Sequence, residues 1–157
     1  MKERIGRTMD RMFDRLRHPA AFELSHDTAV HGSFDGLRGR KYAVLVTLRR
    51  DGEAVPSPVW VAVDADGRAF VRTMRASGKV KRIRNDPRAL LAPATLRGRP
   101  LGVPVRAIAR ELPEEEWGHA EATLAAAYGA GRKVYEGIVG DPDGLATYIE
   151  LVPDAAA

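Results

Sequence analysis

Cysteine is absent from all 157 residues, which excludes disulfides, Cys-ligated zinc, iron–sulfur clusters and thiolate catalysis. Aromatic residues make up only 6%, too few for a base-stacking platform. No helix-turn-helix or zinc-finger pattern is written either, so a nucleic-acid partner is not expected despite a net charge of +4 and an excess of arginine over lysine. That charge is read as serving a smaller anion, beside a solvated arginine-rich surface. Long apolar runs are missing too. Those at residues 42–48 and 59–63 are strand-length, far short of the roughly 20 residues a membrane helix needs. The basic N-terminus lacks a continuous apolar stretch and a small-residue cleavage site, so the expectation is a cytoplasmic protein without a membrane span.

Catalytic signatures are equally sparse. His18, His26, His31 and His119 show no i, i+4 pairing with a neighbouring carboxylate and are read as surface histidines, with no metal site expected. There is no G-x-S-x-G elbow. Gly129-Ala-Gly131 follows a helix pattern where a dinucleotide fingerprint needs a strand, and Asp141-Pro-Asp143-Gly144 reads as a turn without a later acidic ligand.

What is present is short strands separated by strong turn signals. Residues 2–17 place Ile5, Met9, Met12, Phe13 and Leu16 at helical spacing opposite a row of arginines, an amphipathic basic helix ended by Pro19. Residues 20–40 are Gly-punctuated and read as an irregular wrap. Strands are expected at 42–49 and 54–63 around Asp51-Gly52, at 68–73 after Asp66-Gly67, at 89–96 and 103–112 around Gly98, and at 146–152. Helices are expected at 79–85, from Pro113 to Tyr128 with Glu114, Glu115 and Glu116 on the positive end of its dipole, and at 132–138. Six short strands with few helices predict a mainly β fold, a barrel. Pro56 and Pro58 cannot donate to a ladder, so one side of their strand must be an edge, a bulge or open to a ligand.

The informative run is Val71-Arg72-Thr73 followed by Ser77-Gly78-Lys79. Ser77 stands where an N-cap belongs, and Lys79 and Arg82 lie three apart on one face of a short helix whose other face carries Val80 and Ile83. Helix amides, an ammonium and guanidinium groups converging there suit a phosphate.

Arg50-Asp51-Gly52, Ser57-Pro58-Val59-Trp60, Val71-Arg72-Thr73 and Ser77-Gly78-Lys79-Val80-Lys81-Arg82 together resemble the split β-barrel oxidoreductases related to pyridoxamine 5′-phosphate oxidase, and among them the coenzyme F420-dependent branch. The resemblance runs on through Pro87, the Gly98-to-Gly102 turn and Tyr128-Gly129, over about residues 37–152. It implies a six-stranded split β-barrel of the FMN-binding-protein type at 37–153, preceded by a 1–36 extension on which the family is silent. It further implies a homodimer with a flavin or deazaflavin in a groove between subunits. Lys79, with Thr73 and Ser77, would hold the cofactor phosphate, with Gly78 in the same turn. Ser57, Pro58, Val59 and Trp60 would line the ring, and Arg72 and Arg82 would add charge. The wording of the Ser-Gly-Lys run favours F420 over FMN, with Arg97, Arg99 or Arg132 available to its acidic tail. The expected activity is hydride transfer from F420H2 to an unsaturated small molecule. The alternatives are an FMN-dependent oxidoreductase and a non-catalytic carrier of a cofactor or tetrapyrrole. No side chain is identified as a general acid. The apolar residues Val55, Val59, Trp60 and Val61 are expected to exceed what one small barrel can bury, a second reason to expect a dimer.

Overall fold

The computed structural model describes residues 17–128 and 144–155. The helix expected at 2–17 (apart from Arg17), the helix expected at 132–138, and Asp141 to Asp143 lie outside the described residues.

Seven strands form one antiparallel sheet: β1 (Tyr42–Leu48), β2 (Ala54–Trp60), β3 (Ala62–Val63), β4 (Ala69–Met74), β5 (Arg88–Pro93), β6 (Val105–Glu111) and β7 (Ala146–Pro153). Their order is β2-β1-β5-β6-β7-β4-β3. The single strand expected at 54–63 is therefore shared between both edges. Val61 is the hand-over residue: its N–H donates to the Lys41 carbonyl at 3.1 Å, and the next residue, Ala62, already pairs with Phe70. One chain segment serving both edges forces the sheet to curl, because the edges are only one residue apart. The expected six strands become seven for the same reason.

Turn chemistry sets the register. Gly52 takes φ +87° at the Asp-Gly hairpin, where Arg49 N–H donates to the Glu53 carbonyl at 2.9 Å and the Asp51 carboxylate accepts from Glu53 N–H at 2.9 Å. Pro56 and Pro58 are tolerated because β2 is a terminal strand of the order. They pair with Val46 and Val44, and the alternate residues Val55, Ser57 and Val59 are left to donate toward β1.

Side chains of one parity fill the barrel: Leu45, Val59, Val71, Leu91, Ile149 and Leu151 meet Val80 and Ile83 of α1 (Gly78–Asn85). The apolar face read from the sequence is thus the one buried. At about 1.5–3 kcal/mol for each buried side chain of this size, it holds α1 on the barrel. The outer face has two covers. Ala120, Leu124 and Tyr128 of α2 (Trp117–Tyr128) pack on Phe70 and Tyr148, and Ala21 and Leu24 pack on Val44, Val46, Leu90 and Ala92. The stretch before β1 is indeed an irregular wrap, made of two short 3-10 turns and a bridge from Val30 to Val105. Pro19 opens the first of these turns, with His18 Nδ1 accepting from Ala20 N–H at 3.1 Å. Phe34, N-terminal to the expected boundary at residue 37, lies in the barrel core.

The four apolar residues of this segment are not all taken into the barrel. Val55, Val59 and Val61 are all buried within the single chain, and Trp60 is half-buried against the α2 cluster. Alternation divides them between the interior and the α2 side, with Val59 and Val61 inward and Trp60 outward.

Candidate functional site

Strand β4 leaves the sheet at Thr73 and Met74, and Ser77 N–H closes the turn onto the Met74 carbonyl at 3.0 Å. Ser77 (φ −67°, ψ 151°) occupies the N-cap position of α1, as its place in the sequence predicts, yet its side chain makes no capping bond. Its hydroxyl instead lies 3.4 Å from Thr73 Oγ1, which also accepts from Lys79 Nζ at 3.1 Å. Thr73, Ser77 and Lys79 are therefore brought together. The first turn of α1 carries no acidic residue. An ammonium and two hydroxyls beside the positive end of a helix form a donor set for an anion.

Arg82 reaches the same helix start by an unforeseen route. Its Nε donates to Thr47 Oγ1 at 2.6 Å, and the guanidinium folds back so that a Cβ on Gly78 would stand only 2.6 Å from Arg82 Nη1. Gly78 thus admits the guanidinium, and the fully buried Thr47 anchors it. Sequence reading missed Thr47, although a signal existed. It is the single aliphatic hydroxyl in the run Tyr-Ala-Val-Leu-Val-Thr-Leu, at the same parity as the inward Ala43 and Leu45.

Other expected residues are placed elsewhere. Arg72 alternates to the face opposite Val71, across from Tyr148, and its Nε is buried without a hydrogen-bond partner. Ser57 and Val59 are buried at inward parity, with Val59 part of the barrel core. Pro58 packs where Gly98 leaves room: a Cβ there would meet Pro58 Cγ at 3.1 Å. Trp60 stacks edge-on to Tyr42 (centroids 5.3 Å apart) and against Tyr128 (4.9 Å). The four β2 residues therefore divide between two faces.

A second charged cluster was not legible in the sequence. Asp64, its side chain 4% exposed, accepts from Asp66 N–H at 3.0 Å, Arg68 N–H at 2.9 Å, Arg68 Nε at 3.0 Å and His119 Nε2 at 2.8 Å. Burial opposes its charge. The hydrogen bonds from His119 and Arg68 outweigh that, and hold the carboxyl below the ordinary aspartate range. Arg68 and Arg110 also flank the buried Glu150 at 3.3 and 3.2 Å. His119 is thus engaged with a carboxylate 55 residues away, a pairing that i, i+4 spacing cannot reveal. Among the described residues no group of three or more His, Asp or Glu is placed to hold a metal ion.

Comparison with known proteins places this geometry in a fold. No family model and no curated protein matches the chain. Solved structures do. HutZ, the heme storage protein from Vibrio cholerae, aligns at 14% identity and TM-score 0.56, over 74% of this chain and 84% of its own. The fold is a split β-barrel. An F420 reductase aligns at 19% identity and TM-score 0.55, over 80% and 97% of the two chains. A FAD-binding protein from Mesorhizobium loti aligns at 15% and 0.54, over 75% and 82%. At such identities the likeness is one of fold. No described helix is long and apolar enough to cross a membrane.

Proposed function

We propose that the protein is an oxidoreductase that binds coenzyme F420 and reduces an unsaturated small molecule. The observation that carries this reading is the convergence of Thr73, Ser77 and Lys79 at the start of a helix whose first turn carries no acidic residue. These residues fit the phosphate end of such a cofactor: three donors and the α1 amides would face one anion, and Arg82 adds a guanidinium at the same turn. The bound cofactor would supply hydride chemistry, as cofactors of this class do. The chain's share is to bind and orient. Lys79, Thr73, Ser77 and the Gly78 turn hold the phosphate, whereas Arg72, on the opposite face of β4, stands outside this set. Ser57, Pro58, Val59 and Trp60 bring the β2 edge to the ring. No side chain is assigned as the acid, so the proton is taken from solvent or substrate.

Because the β2 residues divide between two faces, one chain does not supply a complete ring wall, and a homodimer completes it. Light scattering at micromolar concentration should give twice the chain mass; a monomer that binds cofactor tightly would sink this part of the proposal. The choice of F420 over FMN is supported by the Ser-Gly-Lys-Val-Lys-Arg wording, by Arg97 and Arg99 as partners for an acidic tail, and by an F420 reductase among the fold neighbours. The heme storage and FAD-binding neighbours favour the alternatives, a carrier or an FMN enzyme.

Calorimetric titration with F420 and FMN, followed by F420H2 oxidation against a panel of quinone, enone and tetrapyrrole acceptors, tests the reading. Tighter binding of F420 and acceptor-dependent oxidation are expected. Retention without turnover makes the protein a carrier, tighter FMN binding moves the cofactor assignment, and binding of neither removes the phosphate site.

A further inference from the structure

At the other end of the barrel, between the loop before β1, strand β3 and the C-terminal half of α2, lies a cavity of about 410 Å³. It is remote from Lys79. Strand β1 starts beside the cavity at Tyr42 and reaches the α1 anchor at Thr47, and five residues at about 3.3 Å each separate the two ends by roughly 17 Å. The lining falls into two kinds. Arg38, Arg40 and Lys41 supply three cations from a four-residue run, whereas Ala62, Ala126 and Ala127 are small and apolar. The buried Tyr128 borders the cavity, its hydroxyl donating toward the carbonyls of Lys41 and Val61, each at 3.1 Å.

Among the described residues no acidic side chain lines this space. Arg38 is matched outside it, donating to Asp35 at 3.2 Å and to the Asp64 carbonyl at 3.0 Å. Arg40 and Lys41 are exposed and have no ion-pair partner among the described residues. Exposed cations ordinarily stand singly in water. Here they edge a concavity with low-dielectric walls, which focuses their field on one volume. That volume exceeds by an order of magnitude the roughly 30 Å³ of a water, so an inorganic ion alone leaves it unfilled. It falls within the range of about 300–1,000 Å³ typical of small-molecule sites.

We infer that this cavity is a binding site for a small organic anion, its carboxylate or phosphate held by Arg40 and Lys41 and its apolar body laid on Ala62, Ala126 and Ala127. The site is separate from the cofactor site proposed above and stands or falls without it. Binding is charge-assisted at one end and hydrophobic at the other, so both parts of the ligand are required.

Amide NMR of the ¹⁵N-labelled full chain, titrated with benzoate, phenyl phosphate, benzyl alcohol and inorganic phosphate, tests this. Benzoate or phenyl phosphate should shift the amides of Gly39, Lys41, Ala126 and Ala127 saturably, and the tighter of the two names the anionic group. Benzyl alcohol and inorganic phosphate, each lacking one half of the ligand, should bind at least about tenfold more weakly. The double variant Arg40→Gln/Lys41→Gln removes only exposed side chains and should lose about tenfold in affinity, whereas Lys79→Ala should leave these shifts unchanged. Benzyl alcohol binding as well as benzoate, shifts confined to residues 73–79, or undiminished affinity in the double variant would overturn the assignment.

Discussion

Around Asp64 a buried carboxylate collects four donors from two segments of chain, whereas at the start of α1 an ammonium and a guanidinium are held by the hydroxyls of Thr73 and Thr47. The first arrangement gives a buried charge its complement inside the chain, and what it yields is stability. The second brings two positive groups onto hydroxyls beside the positive end of a helix dipole, a place that favours an incoming anion. Charge density alone does not separate a structural cluster from a binding one. What separates them is enclosure: the Asp64 carboxylate is shut in among its donors, whereas Lys79 stands half-buried at an open helix start.

The largest expected effect tests what lies beneath both clusters, the cover on the barrel. Deleting residues 1–33 removes Ala21 and Leu24 from Val44, Val46 and Leu90, all 0% exposed in the intact chain. Re-exposing part of those three side chains should cost roughly 4 kcal/mol, read as a fall in Tm. Deleting residues 1–16 alone leaves that cover in place. If the longer deletion melts like the full chain, the wrap is not a structural cover and its role belongs to the groove.

Next in size is Asp64→Ala. Four donors would lose their acceptor, and with Arg68 and His119 partly in solvent the expected cost is about 2–3 kcal/mol. Cofactor affinity should stay within about twofold if the two clusters are independent, a coupling below about 0.4 kcal/mol. A pH signature accompanies it. The folded carboxyl is held below its ordinary value, so its contribution is present above about pH 3.9 and is lost as pH falls through the lower folded value. Urea melts of the wild type should weaken across that acid range. The variant should show a shallower decline; an equal slope would remove Asp64 as its source.

The contrast between the clusters also explains what could be read in advance. Strand positions, the Asp51-Gly52 hairpin, the α1 face of Val80 and Ile83, and the Thr73–Ser77–Lys79 convergence all rest on neighbours within a few residues, where spacing determines geometry. Val61 as the point where one strand changes partners was not legible, because it follows from closing the barrel. The same holds for His119 with Asp64 and Arg82 with Thr47, which are 55 and 35 residues apart. The division of Ser57 and Val59 from Pro58 and Trp60 was available from strand alternation, but a motif written as four consecutive letters conceals it.

On the binding side, Lys79→Ala should weaken F420 affinity by about 1.5 kcal/mol, some twelvefold, the scale of a lost charge-assisted hydrogen bond. The melting temperature should barely move, since Lys79 is half-buried rather than enclosed in the core. Unchanged affinity for both F420 and FMN would return the helix start to the structural category of the Asp64 cluster.

The smallest effect isolates position from charge. Gly78→Ala keeps every cation, but its Cβ would fall 2.6 Å from Arg82 Nη1, so the guanidinium end must shift, which strains its Nε bond to Thr47. Losing that bond outright would cost about 1 kcal/mol. Exchanging glycine for alanine in a helix returns about 0.5–1 kcal/mol. The melting temperature should therefore change little, while cofactor affinity falls roughly three- to fivefold, less than for loss of a direct phosphate donor. Arg82→Ala gives the control. If Gly78 acts only by admitting the guanidinium, the double variant should be no weaker than Arg82→Ala alone, a non-additivity that a double-mutant cycle reads directly. Additive losses would mean that Gly78 serves the anion through its own close backbone approach, and that Arg82 is held at the helix start for reasons of packing.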